Sequence, residues 1–178
     1  MALTDTQVEL IRTGVRTREE TPHSTTFRGI DRVEINVQGG LHYCAREIAG
    51  QPMVMHVDEP PELGGEGTGN SPLGHFLTGA AACLLNQFVR IAIAEGYDLT
   101  YTRADVRGEF SRVAGGAFER ITTDVYADGS LDVATAEQLT ERAESLCIVH
   151  NTLRHAVRMT TVLHLNGVEA VRKVSQPN

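Results

Sequence analysis

Three cysteines and seven histidines are the residues of this 178-residue chain best able to do chemistry near neutral pH. Cys83 stands in GAAACLLNQ and Cys147 in SLCIVHNTL, both in apolar surroundings, while Cys44 lies in LHYCAR beside His42. A thiolate is a nucleophile, and two thiols can cycle through a disulfide. A buried thiol is as readily an inert small hydrophobe, so position alone leaves both readings open. His75 precedes Cys83 by about two helical turns on nearly the same face, where it could act as base or hydrogen-bond donor. The alternative is a first-turn histidine satisfied by water. His150 follows Cys147 by one helical turn, close enough for a Cys–His contact. Strand alternation sends His42 and Cys44 to one face, opposite Leu41 and Tyr43. These thiols and imidazoles are soft ligands, but neither C-x-x-C nor H-x-x-x-H occurs, and the expectation is no metal. The Gly-rich run 64–69 lacks the pattern G-x-x-x-x-G-K-[ST] and reads as a flexible lead-in to a helix, so no cofactor is expected.

The elements that must position these groups follow from periodicity. Thr4 and Gln7 make a capping box, and Val8, Ile11 and Val15 recur at helical spacing, predicting a helix over 4–20 that ends near Thr21-Pro22. Val33, Ile35 and Val37 alternate in a strand, Gly39-Gly40 turns it, and a second strand covers about 41–48. A third has Met53, Met55 and Val57 on one face. The Gly- and Pro-rich stretch 58–72 is a loop leading to a long helix over about 73–95, stopped by Gly96. That helix is apolar nearly all round, which predicts a central helix surrounded by protein.

Strands over about 99–111 and 117–127 follow, joined at Gly115-Gly116. A helix over 134–146 has Asp132 as N-cap, and a short one runs from Cys147 to about His155. Met159, Thr161, Leu163 and Leu165 mark a strand, and Asn166-Gly167 turns it toward a return strand over 168–173. Antiparallel strands interspersed with helices give an α+β fold, not a doubly wound parallel sheet.

Composition narrows the function classes. Apolar residues make up 41% and charged residues 22%, as in ordinary globular domains. The net charge is −7 and no basic stripe occurs, which argues against nucleic acid. The most apolar stretch, Phe76 to Ala94, is interrupted by Asn86, Gln87 and Arg90, so a core helix is expected and not a membrane span. An odd number of cysteines and an N-terminus without a basic, then apolar, leader point to a reducing compartment, by default the cytoplasm.

The segment DEPPELGGEGTGNSPLGHFLTGAAACL resembles the loop-to-helix signature of the OsmC/Ohr family of thiol-dependent peroxidases. CIVHNTL resembles that family's second cysteine motif, with Ile148 where proline is usual. The resemblance covers about 25–170 and divides the chain into an N-terminal helical extension, 1–24, and an OsmC-like domain, 25–178. It implies an antiparallel sheet wrapped around a long central helix, in an intertwined homodimer with its sites at the subunit interface. It further implies that Cys83 attacks an organic hydroperoxide, that Cys147 resolves the product to a disulfide, and that a dithiol reductant reopens it.

The family's activating Arg and Glu fall at Leu41 and Leu73, unless Arg46 reaches the Arg position through a register shift. Leu41, Leu73 and Phe76 are then expected to line an apolar pocket, with His75, His42, Arg46 and His150 as supporting groups. The alternative expectation is a non-peroxidatic OsmC-like protein, for thiol redox exchange or for binding a small hydrophobic ligand.

Overall fold

The computed structural model describes residues 3–21, 31–47, 54–113, 116–154, 159–165 and 168–175. Its elements, in chain order, are α1 (Asp5–Glu20), β1 (Val33–Gly39), β2 (His42–Glu47), β3 (Val54–Val57), α2 (Pro72–Glu95), β4 (Leu99–Phe110), β5 (Phe118–Gly129), α3 (Val133–Leu146), α4 (Ile148–Arg154), β6 (Met159–Leu165) and β7 (Val168–Ser175). The turns expected at Gly115-Gly116 and Asn166-Gly167 involve residues outside those described, as does Met53.

Local signals set the helix ends. The Thr4 hydroxyl accepts from the Gln7 backbone N–H, and the Gln7 side chain accepts in return from the Thr4 N–H. Ser71 caps α2 by accepting from the Gly74 N–H, with Pro72 in the first turn where its missing donor costs nothing. At the far end Gly96 takes the left-handed conformation, φ 84°, which a side chain disfavours. Asp132 caps α3 through the Thr135 N–H.

The helix α2 packs against α1, α3, α4 and β4. Ile91, Ala92, Phe88, Leu139, Ala143 and Val15 form the core where α1, α2 and α3 meet. By length and composition α2 could cross a membrane. Its packing against helices on several sides fits a core helix, as the interrupting Arg90 suggested. Gly14 of α1 leaves room for Arg90, whose Nη2 would lie 2.6 Å from a Cβ there.

The fold is the expected mixture of helices and antiparallel strands; among the described residues the strands pair in three ladders, β1-β2-β3, β4-β5 and β6-β7. Coverage of α2 departs from expectation. Among the described residues α2 is enclosed mainly toward its C-terminal end: its buried residues are Ala81, Gln87, Phe88, Ile91 and Ala92, while Leu73 and Phe76 near its start are exposed. Apolarity all round a helix reports that its faces avoid water, not which chain covers them. A matching uncovered surface lies on the first ladder. The registers put Val33, Ile35, Val37, Tyr43, Ala45, Met55 and Val57 on one face. Of these, Val33, Ile35, Val37 and Met55 are exposed.

The loop between β3 and α2 is ordered where a flexible lead-in was expected. Asp58 is 1% exposed. Its carboxylate accepts the backbone N–H groups of Glu59, Glu66 and Thr68 and the Thr68 hydroxyl. A buried carboxylate fully supplied with donors folds the loop around itself. The glycines then have a spatial role, because a Cβ at Gly65 would collide with the Glu59 carbonyl. Near its end the loop returns to β3, where Asp58 N–H donates to the Asn70 carbonyl at 3.1 Å.

The Thr68 N–H, opposed by burial but joined by the other donors, holds the Asp58 carboxyl below the usual aspartate range. A depressed folded pKa gives stability that is complete above the unfolded value, about 3.9, and lost as pH falls through the folded value. Asp58→Asn is therefore expected to lower the urea midpoint at pH 7 and to flatten its decline below pH 4. Parallel acid profiles for the two proteins would contradict this account.

Candidate functional site

The two cysteines far apart in sequence come together where α2 passes the junction of α3 and α4. Cys147 is the C-cap of α3, with backbone φ −79° and ψ 110°, so the chain breaks its helix there before resuming at Ile148. That break turns its side chain inward, and it is fully buried, whereas Cys83 is half-buried. Burial pushes the Cys147 thiol above its ordinary pKa; the His150 N–H acts the other way, and the neighbouring Cys83 thiol raises it further. The His150 N–H lies 3.4 Å from Cys147 Sγ, one turn along, so the contact comes from the backbone and not from the imidazole.

An open cleft of about 530 Å³ lies among α2, β5 and α4. Phe76, Ala80 and Leu84 line it from α2, Phe118 and Arg120 from β5, and His150 from α4. Phe76 and Phe118 stack with ring centroids 5.3 Å apart. Neither Cys83 nor Cys147 lines the cleft; its lining holds their chain neighbours Leu84, next to Cys83, and His150, one turn beyond Cys147. Its lining is mainly apolar but carries Arg120, Glu144 and Arg154, a composition suited to a small amphipathic molecule.

Of the expected pocket residues, Phe76 lines this cleft, while Leu41 and Leu73 lie outside it. Leu41 instead approaches the Asp58 loop, where its Cδ1 would lie 3.8 Å from a Cβ at Gly64. Arg46 pairs with Glu34 across β1 and β2 at 3.6 Å. His75 binds the His56 carbonyl through Nε2 at 3.1 Å, fastening the start of α2 to β3. His42 and Cys44 stand together on β2 as alternation requires, near His56 of β3.

Sequence reasoning passed over the residues that secure the thiol junction from outside. Arg18 of α1 donates to the Leu146 carbonyl at 2.8 Å and to Gln87 Oε1 at 3.2 Å. Leu146 adjoins Cys147, and Gln87 lies one turn beyond Cys83. Arg142 of α3 binds Glu19 of α1 and Glu95 of α2 at 2.8 and 2.9 Å. The buried polar Gln87 was the available signal, because a buried amide needs a partner.

The sequence family described as OsmC-like protein matches residues 65–162, a span that holds the loop glycines from Gly65 on, all of α2, Cys83 and Cys147. The chain belongs to the OsmC-like family. Among solved structures, it is similar to a Psychrobacter arcticus protein assigned to osmotic stress induction and detoxification response. The identity is 21%, over 72% of this chain and 91% of that one, with a TM-score of 0.62. It is similar also to an OsmC-like protein from Mycoplasma pneumoniae, at 18% identity over 74% and 91% of the two chains, TM-score 0.60. An organic hydroperoxide resistance protein from Legionella pneumophila aligns at 22% identity over 72% and 92%, TM-score 0.54. At these identities the structural likeness establishes the α+β OsmC-like fold. No curated protein sequence matches the chain.

Proposed function

We propose that this OsmC-like chain is a thiol-dependent peroxidase for small, largely apolar organic hydroperoxides, using Cys83 and Cys147. The observation that carries the reading is that the Cys83 thiol neighbours the buried Cys147 thiol, near a cleft of mixed apolar and charged lining that takes in Leu84 and His150. The hydroperoxide resistance function named for the Legionella pneumophila structure supports it.

In the proposed cycle the Cys83 thiolate attacks one peroxide oxygen, forming an S–O bond as the O–O bond breaks. The alkoxide leaves, takes a proton and departs as the alcohol, and Cys83 becomes a sulfenic acid. Cys147 then gives up its proton and attacks the Cys83 sulfur, and the hydroxyl leaves as water. A dithiol reopens the disulfide by exchange, becoming oxidised itself. The buried Cys147, its pKa raised, suits the second step: it stays a thiol beside Cys83 and becomes nucleophilic only on deprotonation. A reducing compartment such as the cytoplasm would supply the dithiol.

The decisive experiment is exposure of the reduced chain to one equivalent of cumene hydroperoxide, followed by peptide mapping. The expected product is a Cys83–Cys147 disulfide, with sustained peroxide consumption once a dithiol is added. If both thiols remain free, the peroxidase reading is wrong and the cleft serves ligand binding alone.

The working unit proposed here is a homodimer in which the apolar face of β1-β2-β3 covers the first half of α2 of the other copy. Support comes from the two uncovered apolar surfaces, since exposed apolar patches mark interaction sites. Light scattering should give twice the chain mass of 19.4 kDa; a monomer at micromolar concentration would refute the pairing.

A further inference from the structure

The polar face of the first ladder carries a second constellation of soft groups, separate from the Cys83–Cys147 pair. Cys44 of β2 is directly opposite His56 of β3 in the register, and alternation places His42 on the same face as Cys44. His42 Nε2 lies 3.0 Å from His56 Nδ1, and Cys44 Sγ lies 3.7 Å from that same nitrogen. The potential ligand atoms of all three residues lie within 4.8 Å of one another. We infer that His42, Cys44 and His56 form a binding site for a thiolate-seeking transition metal ion, with zinc as the reference ion.

Ligand chemistry and geometry agree. Tetrahedral zinc holds nitrogen at about 2.0–2.1 Å and sulfur at about 2.3 Å, which requires N···N edges of about 3.3 Å and N···S edges of about 3.6 Å. The two edges that meet at His56 depart from those by a few tenths of an ångström, and the third lies within 4.8 Å, within reach of side-chain adjustment. Two imidazoles and a thiol without a carboxylate favour zinc, cobalt or copper over magnesium and calcium. Three protein ligands leave a fourth position for water or an incoming ligand.

The scaffold is firm, since two paired strands carry the ligands and His75 ties the His56 backbone to α2. Access from solvent is open, with His42 and Cys44 half-buried and His56 exposed. The expectation of no metal rested on the absence of compact linear spacing. Here the third ligand arrives by cross-strand pairing, which linear spacing does not display.

Cobalt(II) titration of the reduced full-length chain tests the site, because a cobalt–thiolate bond has its own charge-transfer absorption. The expected result is one equivalent bound per chain, displaced by zinc, with protons released as the thiol ionises. Cys44→Ser should abolish the charge-transfer band, and His56→Gln should weaken binding by at least about tenfold. The double variant Cys83→Ser/Cys147→Ser should retain the band. Circular dichroism checks that each variant folds; if Cys44→Ser does not, the exposed His56→Gln decides. The inference is overturned if the wild type shows no band, if the band survives Cys44→Ser, if His56→Gln binds normally, or if the band is lost from the double variant.

Discussion

Cys83→Ser is expected to reduce hydroperoxide turnover to background, whereas Cys147→Ser should still consume one equivalent of peroxide per chain. A serine hydroxyl has neither the acidity nor the nucleophilicity to open an O–O bond at neutral pH, so the first variant stops before any chemistry. The second variant completes the first step and stalls as the Cys83 sulfenic acid, which dimedone would trap and mass spectrometry count. The chain has no Trp, so quenched mass analysis is a better monitor than indole fluorescence.

The wild-type disulfide step should also quicken as pH rises beyond the ordinary thiol range. Burial and the Cys83 thiol both hold Cys147 protonated, against the opposing influence of the His150 and Val149 N–H groups. Wild-type turnover by Cys83→Ser would reject Cys83 as the attacking thiol. A disulfide rate already level at neutral pH would reject the account of Cys147.

Leu139→Ala is expected to destabilise the chain by about 2–5 kcal/mol, the range for emptying a leucine site in a packed core. Leu139 is 2% exposed and packs in the cluster of Val15, Phe88, Ile91, Ala92 and Ala143. Its helix ends at Cys147, so the vacated space loosens the element that sets the resolving thiol. Urea unfolding measures the first effect, and the rate of disulfide formation measures the second. A stability loss below about 0.5 kcal/mol, as for surface changes, would show that this cluster is not the core.

Legibility in the sequence followed the range of the interaction. Thr4 with Gln7, Ser71 with Pro72, Gly96, and Asp132 with Thr135 are contacts within a few residues, and each predicted helix boundary lies close to the observed one. The alternating strands were equally readable because period two is local. Asp58 was not, since its donors lie in a loop whose glycine content suggested freedom while the buried carboxylate fixes its path. His56 escaped notice because its relation to Cys44 exists only once the β2–β3 register is known. The pairing of Cys83 with Cys147 came from motif resemblance, as residue spacing carries no information about two side chains meeting between separate helices. Exposure of Leu73 and Phe76 could not be read from helix apolarity, which is blind to chain identity.

The clasp made by α1 has a consequence for how the protein is made. Arg18 reaches partners 69 and 128 positions further along the chain, and Arg142 returns across 123 positions to Glu19. On a ribosome adding about 5–20 residues per second, α1 emerges on the order of ten seconds before Leu146 exists to receive it. An isolated helix of 16 residues is marginal in water, so its Thr4–Gln7 cap is the main local support during that wait. Contacts of such long sequence separation close slowly. The helix α1, made before Gln87 and Leu146, is therefore among the last of these elements to be secured, and its docking closes the outer side of the thiol junction.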